Sequence, residues 1–295
     1  MIRVGNAPCS WGVLEFELEG TAAGAERVLG EMAQAGYAGT ELGDWGFLPT
    51  EPVGLRALLG HHGLAMVGAF VPVALADERA HEAGVAVAVR TARLLASVEA
   101  PFLVLADDNG KVPERVACAG RIRPDQGLSA AQWDTFARGA ERVARAVREA
   151  TGLRTVFHHH GGGWVETPAE VEALLTRTSP ELLGLCLDTG HWALGGGDPL
   201  EALDRWGERV GHLHAKDCHP DLHARAAREG WDYFDAVRRG VFCELGRGGV
   251  DFAAFVDAIR GRDGWLIVEQ DVLPGMGTPL ESARRNREFL RGLGV

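Results

Sequence analysis

The chain has 295 residues, 46% of them hydrophobic and 24% charged, with 40 glycines and a formal net charge of −11. A length near 300 suits either two domains of roughly 150 residues or one (β/α)8 barrel, and the acidic balance argues against nucleic acid as a partner, since phosphates need a basic surface. No apolar run approaches the roughly 20 residues that cross a bilayer, and no basic-then-apolar leader opens the chain, so an unexported, cytoplasmic protein with no membrane partner is expected.

Short apolar runs alternate with longer segments of helical periodicity, the pattern of βα units and a parallel sheet. In chain order the predicted strands are Arg3–Ala7, Gly39–Leu42, Ala65–Val71, Phe102–Leu105, Arg154–His158, Leu182–Leu187, Val210–His214 and Leu266–Glu269. The helices between and after them are predicted at Ala22–Ala35, Val53–His61, Ala80–Ser97, Ala130–Ala150, Pro168–Thr176, Pro199–Trp206, Phe252–Ile259 and Pro279–Arg291. Ser129 caps the helix after the long loop, while Thr167-Pro168 and Asp198-Pro199 each set a cap before a first-turn proline. Ala106–Gln126 reads as the longest loop, and His219–Gly240 as an added helical stretch followed by a short strand at Val241–Cys243. Eight βα units in this length predict an α/β fold with one domain over residues 1–295: a single (β/α)8 TIM barrel, expanded between strands seven and eight. An open nucleotide-binding sheet lacks support, because Val4-Gly5-Asn6-Ala7-Pro8-Cys9 carries no glycine fingerprint. Cys9, Cys118, Cys186, Cys218 and Cys243 are odd in number, widely spaced and free of any C-x-x-C pair, which disfavours a disulfide framework or zinc ribbon.

A barrel of this kind builds its site at the C-terminal ends of its strands. Seven of the eleven histidines fall between His158 and His219, and most close a predicted strand. Four consecutive strands end in His158-His159-His160, Asp188-Thr189-Gly190-His191, His212-Leu213-His214-Ala215-Lys216-Asp217 and Glu269-Gln270-Asp271. Imidazoles and carboxylates aimed at one point make a mixed N/O site for a divalent ion, Mn²⁺ or Co²⁺ first, with Zn²⁺ and Fe²⁺ as alternatives; two histidines disfavour Mg²⁺. His158, Asp188, His214 and Glu269 are the expected ligands. His160 competes with His158 and otherwise faces the substrate, and His212, deeper on the same strand face as His214, is an expected hydrogen-bond partner behind the ligands. Trp11, Trp45, Trp164 and Trp192 each follow a strand end closely, and indole faces suit the C–H faces of a polyol. The competing reading makes the histidines scattered core or surface residues, the tryptophans packing for the barrel rim, Asp188 a turn cap and Lys216-Asp217 a solvated ion pair.

The segments Ala7-Pro8-Cys9-Ser10-Trp11-Gly12, Gly39-Thr40-Glu41-Leu42-Gly43-Asp44, Phe157-His158-His159-His160-Gly161, Leu187-Asp188-Thr189-Gly190-His191 and His212-Leu213-His214-Ala215-Lys216-Asp217 resemble those of the inosose dehydratases, within the xylose-isomerase-like barrel superfamily. Gly246-Arg247-Gly248-Gly249-Val250-Asp251-Phe252 is similar to the glycine-rich turn before that family's last βα unit. The resemblance implies a divalent-metal lyase that takes water from 2-keto-myo-inositol to give a trihydroxycyclohexanedione. Glu41, His191 and Lys216 form the implied pool for base and acid. Superfamily epimerases carry a glutamate where this chain has His158, which favours the dehydratase branch. Ala106-Asp107-Asp108-Asn109-Gly110 departs from the Ser-Glu-Gln type of segment in the dehydratases. The rival activities are a sugar or keto-polyol isomerase or 3-epimerase on the same metal, a nuclease, which the charge opposes, and a non-catalytic polyol-binding barrel. The partner expected is a small keto-polyol or sugar, and a homo-oligomer is compatible with the sequence.

Overall fold

The alternation of strand and helix closes on itself in the structure, a computed structural model that describes residues 1–12, 23–271 and 275–295. Among those residues the strands are β1 (Ile2–Asn6), β2 (Gly39–Glu41), β3 (Ala65–Gly68), β4 (Phe70–Val73), β5 (Phe102–Asp107), β6 (Arg154–His158), β7 (Leu183–Asp188), β8 (Val210–Ala215), β9 (Asp217–Cys218), β10 (Phe242–Cys243) and β11 (Gly264–Val268). All but β9 and β10 form one sheet in the order β3-β2-β1-β11-β8-β7-β6-β5-β4, with every neighbouring pair parallel. The two end strands are consecutive in the chain and separated by Ala69 alone. Gly68 O accepts from Leu42 N on one side and Ala69 O from Val104 N on the other, both at 2.9 Å, so the expected eight-position barrel is closed.

The run predicted as one strand at Ala65–Val71 therefore bends, and the bend carries an extra residue. Met66 and Ala69 pack outward against the helices while Val67 packs inward, and a Cβ on Gly68 would also face inward, 3.5 Å from Glu41 Oε1. The register slips accordingly, from Thr40↔Met66 to Glu41↔Gly68. Such a bulge restores the alternation one residue late and turns Phe70 into the barrel.

The helices are α1 (Ala25–Ala35), α2 (Pro52–His62), α3 (His81–Ser97), α4 (Pro113–Cys118), α5 (Ala130–Thr151), α6 (Pro168–Leu175), α7 (Thr189–Leu194), α8 (Pro199–Trp206), α9 (Pro220–Glu229), α10 (Tyr233–Arg238), α11 (Phe252–Ala258) and α12 (Pro279–Gly292). Ala22, the predicted start of the first helix, lies outside the described residues. Ser129 and Thr167 form capping boxes with Gln132 and Glu170, and Asp198 accepts from Leu200 N. In α5 the buried Trp133, Phe136, Ala137, Ala140, Val143, Ala144 and Val147 recur at helical spacing and form the stripe that packs on α3.

Two expectations about loops are corrected. The segment Ala106–Gln126 is not open loop: β5 continues to Asp107, α4 follows, and a 3-10 turn spans Pro124–Gln126. Arg115 explains the order. Its guanidinium is fully buried, makes a bidentate pair with Glu170 at 2.8 and 2.9 Å, and donates to the Gly163 carbonyl, tying this segment to the chain after β6. The helical stretch His219–Gly240 is two helices, α9 and α10, broken at Gly230, whose left-handed φ of 71° ends the first. The predicted short strand is present as β10, antiparallel to β9.

The barrel interior is divided along its axis. Its lower part is apolar: Phe102, Val104, Val156 and Cys186 form one cluster, Val67, Trp265 and Ile267 another. Gly39 makes room there, since a Cβ would fall 2.7 Å from the Trp265 ring. Continuing each inward face by two residues reaches Glu41, His158, Asp188, His212, His214 and Glu269. The polar layer is thus the top of the same packing scheme. No helix among the described residues is long and apolar enough to cross a membrane.

Candidate functional site

Each expected ligand comes from a strand end, and a local contact explains its pose. Asp188 closes β7 and caps α7: Oδ1 accepts from His191 N at 2.8 Å, which leaves Oδ2 buried and without a hydrogen-bond partner. Capping and ligation use different oxygens, so the two sequence readings of Asp188 are compatible. His158 closes β6 with both ring nitrogens buried and unpartnered. His214, on β8, donates through Nε2 to Glu41 Oε1 at 3.2 Å, and turns Nδ1 toward Glu269 Oε1, 3.2 Å away.

One donor atom from each of His158, Asp188, His214 and Glu269 lies within 4.8 Å of all the others. His158 Nε2 is 3.6 Å and His214 Nδ1 3.9 Å from Asp188 Oδ2. Donors that share an ion at 2.0–2.2 Å sit roughly 3–4 Å from one another, and these separations match. Unpartnered polar atoms cost free energy in a protein interior; here three of them, His158 Nε2, Asp188 Oδ2 and His214 Nδ1, converge on one spot. The donor set fits a divalent cation. Cys186 could replace Asp188 in a rival trio with His158 and His214, but burial holds its thiol up at about 12, as a neutral S–H.

His160 is occupied elsewhere. Its Nδ1 meets Gly161 O at 2.7 Å, Nε2 faces the Tyr233 hydroxyl at 3.4 Å, and the ring lies tilted against His191, 3.9 Å between centroids. Burial and the neighbouring His158 hold its pKa down at about 3, so it is a neutral ring on the cavity wall. Glu41 accepts from His212 Nε2 at 2.8 Å as well as contacting His214. Burial alone would raise its carboxyl, but the imidazoles of His214 and His212 outweigh that and hold it at about 2.

A cavity of about 90 Å³ opens above the cluster, lined by Glu41, Asp44, Phe70, His158, His160, Lys216, Tyr233, Glu269 and Asp271, among others. Lys216 Nζ lies 3.4 Å from Glu269 Oε2 and 3.5 Å from Asp271 Oδ2, above the Phe242 ring. Burial would lower its pKa, but the carboxylates of Asp271, Glu269 and Asp188 prevail and keep it a cation.

Other expected residues stand apart from this cavity. His191 is buried behind His160, its Nδ1 accepting from Gly161 N at 3.2 Å, and burial pushes its pKa well down. None of the four tryptophans lines the cavity. Trp11 is buried with Nε1 on Glu31 at 2.7 Å, Trp45 is 40% exposed beneath Arg90, Trp164 lies beside Arg115, and Trp192 packs edge-on against His159. Trp11 and Trp192 are thus part of the hydrophobic core, Trp164 packs against it, and only Trp45 is exposed. Phe70 and Tyr233 supply the aromatic wall instead, Phe70 through the bulge and Tyr233 from the expanded segment. Asp271 was findable, being two residues beyond Glu269 on the same face, as Lys216 is beyond His214. Asp44 was visible only as part of a motif.

A family model described as the xylose isomerase-like TIM barrel matches residues 29–293. An inosose dehydratase from Geobacillus kaustophilus is 31% identical over 98% of this chain and 93% of its own length. The rhizopine catabolism protein MocC of Rhizobium meliloti is 35% identical, covering 98% of this chain and 87% of that protein. Among solved structures, the probable 3-DHS dehydratase AsbF from Bacillus anthracis superposes with a TM-score of 0.72 over 99% of both chains at 13% identity, a likeness of fold.

Proposed function

The chain belongs to the xylose isomerase-like TIM barrel family, and from that premise we propose that it removes water from a cyclic keto-polyol, inosose or a close analogue, with a divalent ion held by His158, Asp188, His214 and Glu269. The observation that carries the reading is the convergence of unpartnered buried donors from His158, Asp188 and His214 beneath a cavity that also holds a lysine cation. The inosose dehydratase relatives support the substrate class. A bound divalent ion supplies Lewis-acid stabilisation for the negative charge that develops on a ketone oxygen when the neighbouring proton leaves.

The protein's own groups divide the remaining work. Glu41 is already engaged by two imidazoles and has a depressed pKa, so it orients His214 rather than accepting the substrate proton. Asp44 lines the cavity with no cationic partner at ion-pair distance among the described residues, and its partial burial raises its pKa, which suits a base. Lys216 carries protons toward the leaving hydroxyl, held in place by Glu269 and Asp271. His160, Phe70 and Tyr233 shape the pocket around the ring and exclude water.

Incubation of metal-loaded protein with 2-keto-myo-inositol tests the reading. A product lighter by one water, with new ultraviolet absorbance from the conjugated enediol, is expected. A product of unchanged mass would establish the isomerase or epimerase alternative.

A further inference from the structure

A second cavity, of about 630 Å³, lies outside the barrel mouth between the β9–β10 ribbon, the end of α10 and the start of α12. Arg238, Arg239, Arg247 and Arg285 line it with His219 and Glu244, none of which lines the cavity above the His158 cluster. In a chain of net charge −11 such a concentration of guanidinium is unexpected.

The guanidinium groups are unevenly paired. Glu244 is shared by Arg285, which it meets through Nε at 3.0 Å, and by Arg247 at 3.4 Å. Arg238 has an exposed partner in Asp235 at 3.4 Å. Arg239 lies 4.5 Å over the Trp231 ring and has no carboxylate at ion-pair distance among the described residues. Four arginines thus line the cavity with one carboxylate, Glu244, while Asp235, Glu229 and Glu281 act on them from outside the lining. His219 adds a buried Nδ1 with no hydrogen-bond partner.

The rim is rigidly built. The Asp217 carboxylate accepts from the backbone N–H groups of Cys218, Gly246 and Gly248 at 2.9 Å and of Val250 at 3.1 Å, fixing the turn that carries Arg247. A Cβ on Gly248 would fall 2.2 Å from Asp217 Oδ1, so the turn needs glycine there to close on the carboxylate.

We infer that this cavity binds a small organic phosphate, distinct from the keto-polyol. A phosphomonoester carries about −1.5 to −2 charges at neutral pH, and the guanidinium forks that line the cavity pair phosphate oxygens two at a time. The cavity falls in the roughly 300–1,000 Å³ range of small-molecule sites, with room for a sugar-sized body beyond the phosphate. Phe242 lines it and also lies 4.8 Å beneath Lys216 Nζ and edge-on to His191 at 4.7 Å, so the two cavities share a wall.

Isothermal titration of the full chain at low salt with glucose 6-phosphate, glucose, citrate and inorganic phosphate tests this. One glucose 6-phosphate per chain is expected, with no binding of glucose and at least about tenfold weaker binding of inorganic phosphate and citrate. Arg239→Ala and, separately, Arg247→Ala should each weaken it about tenfold while leaving Tm and metal-dependent turnover without phosphate unchanged. Absence of binding, equal binding of inorganic phosphate (an adventitious ion only), equal binding of citrate, or undiminished affinity in both folded variants overturns the assignment.

Discussion

Glu41 tests the reading of the metal centre most directly, because two roles for it make opposite predictions. Its Oε1 sits 2.8 Å from His212 Nε2 and 3.2 Å from His214 Nε2, all three groups buried. Since His214 turns Nδ1 to the ligand cluster, Nε2 must carry the proton, and a carboxylate fixes that tautomer. In Glu41→Gln the amide can offer its own N–H to Nε2, favouring the tautomer that protonates Nδ1 and blocks ligation. Losing such a carboxylate behind a ligating histidine lowers metal affinity about 10–100-fold, or about 1.4–2.7 kcal/mol. The assay is competition against a chromophoric chelator on apoprotein, with Mn²⁺ and Co²⁺, alongside thermal unfolding to establish that the variant is folded. A metal Kd within about twofold of the parent, paired with lost turnover, would refute the positioning role and return Glu41 to acid–base work.

Other consequences follow from the same contacts. His158→Ala should abolish stoichiometric metal binding in the chelator assay while raising the thermal midpoint of the apoprotein or leaving it unchanged, because both its nitrogens are buried without partners. Arg115→Met strands Glu170 in the interior and should cost about 3–5 kcal/mol in denaturant unfolding; Arg115→Met with Glu170→Gln should recover part of it, and a single-variant loss below about 1 kcal/mol would contradict the buried pair. Burial raises Glu166 to about 7, against hydrogen bonds from Gly162 and Gly120. The folded protein therefore binds its proton more tightly than the unfolded chain, so this stability is present at about pH 4.5 and is lost as pH rises through about 7. Glu166→Gln should make the decline of Tm over that range shallower, by at most about 3 kcal/mol in stability, and an identical slope in the variant would exclude Glu166 as its source.

Much of this was legible because a barrel turns sequence alternation into position. Once strands are assigned, residues two apart share a face, and the C-terminal residue of each inward face lands in one layer; that brought His158, Asp188, His214 and Glu269 to one place before any coordinate. The same rule failed at Ala65–Val73, where the bulge between Thr40↔Met66 and Glu41↔Gly68 reverses parity. Nothing in Ala-Met-Val-Gly-Ala-Phe marks the extra residue except its glycine, so Phe70 was missed. The tryptophans misled for a related reason. They lie past the strands, where alternation no longer applies, and partners distant in sequence decide their direction: Glu31 for Trp11, Arg90 for Trp45. Arg115 looked like loop composition because its partner Glu170 is fifty-five residues away.

The charge arrangement bears on which reaction the site favours. Asp188 and Glu269 together balance a dication, and His158 adds a donor without adding charge, so the cavity above is not overloaded with anions next to the ion. Epimerisation requires a proton removed from one face of a carbon and returned to the other, which asks for a proton-carrying group on each side. Dehydration asks for one base and, at the neighbouring carbon, a donor to a departing hydroxide. In the proposed reaction Lys216 would be such a donor, kept protonated by Asp271 and Glu269 and placed over Phe242. Lys216→Met should therefore lower kcat for water loss far more than metal affinity, while exchange of the substrate's α-proton with deuterated solvent persists. Loss of both exchange and dehydration at unchanged metal content would instead make Lys216 the base and reverse the roles argued for it and Asp44.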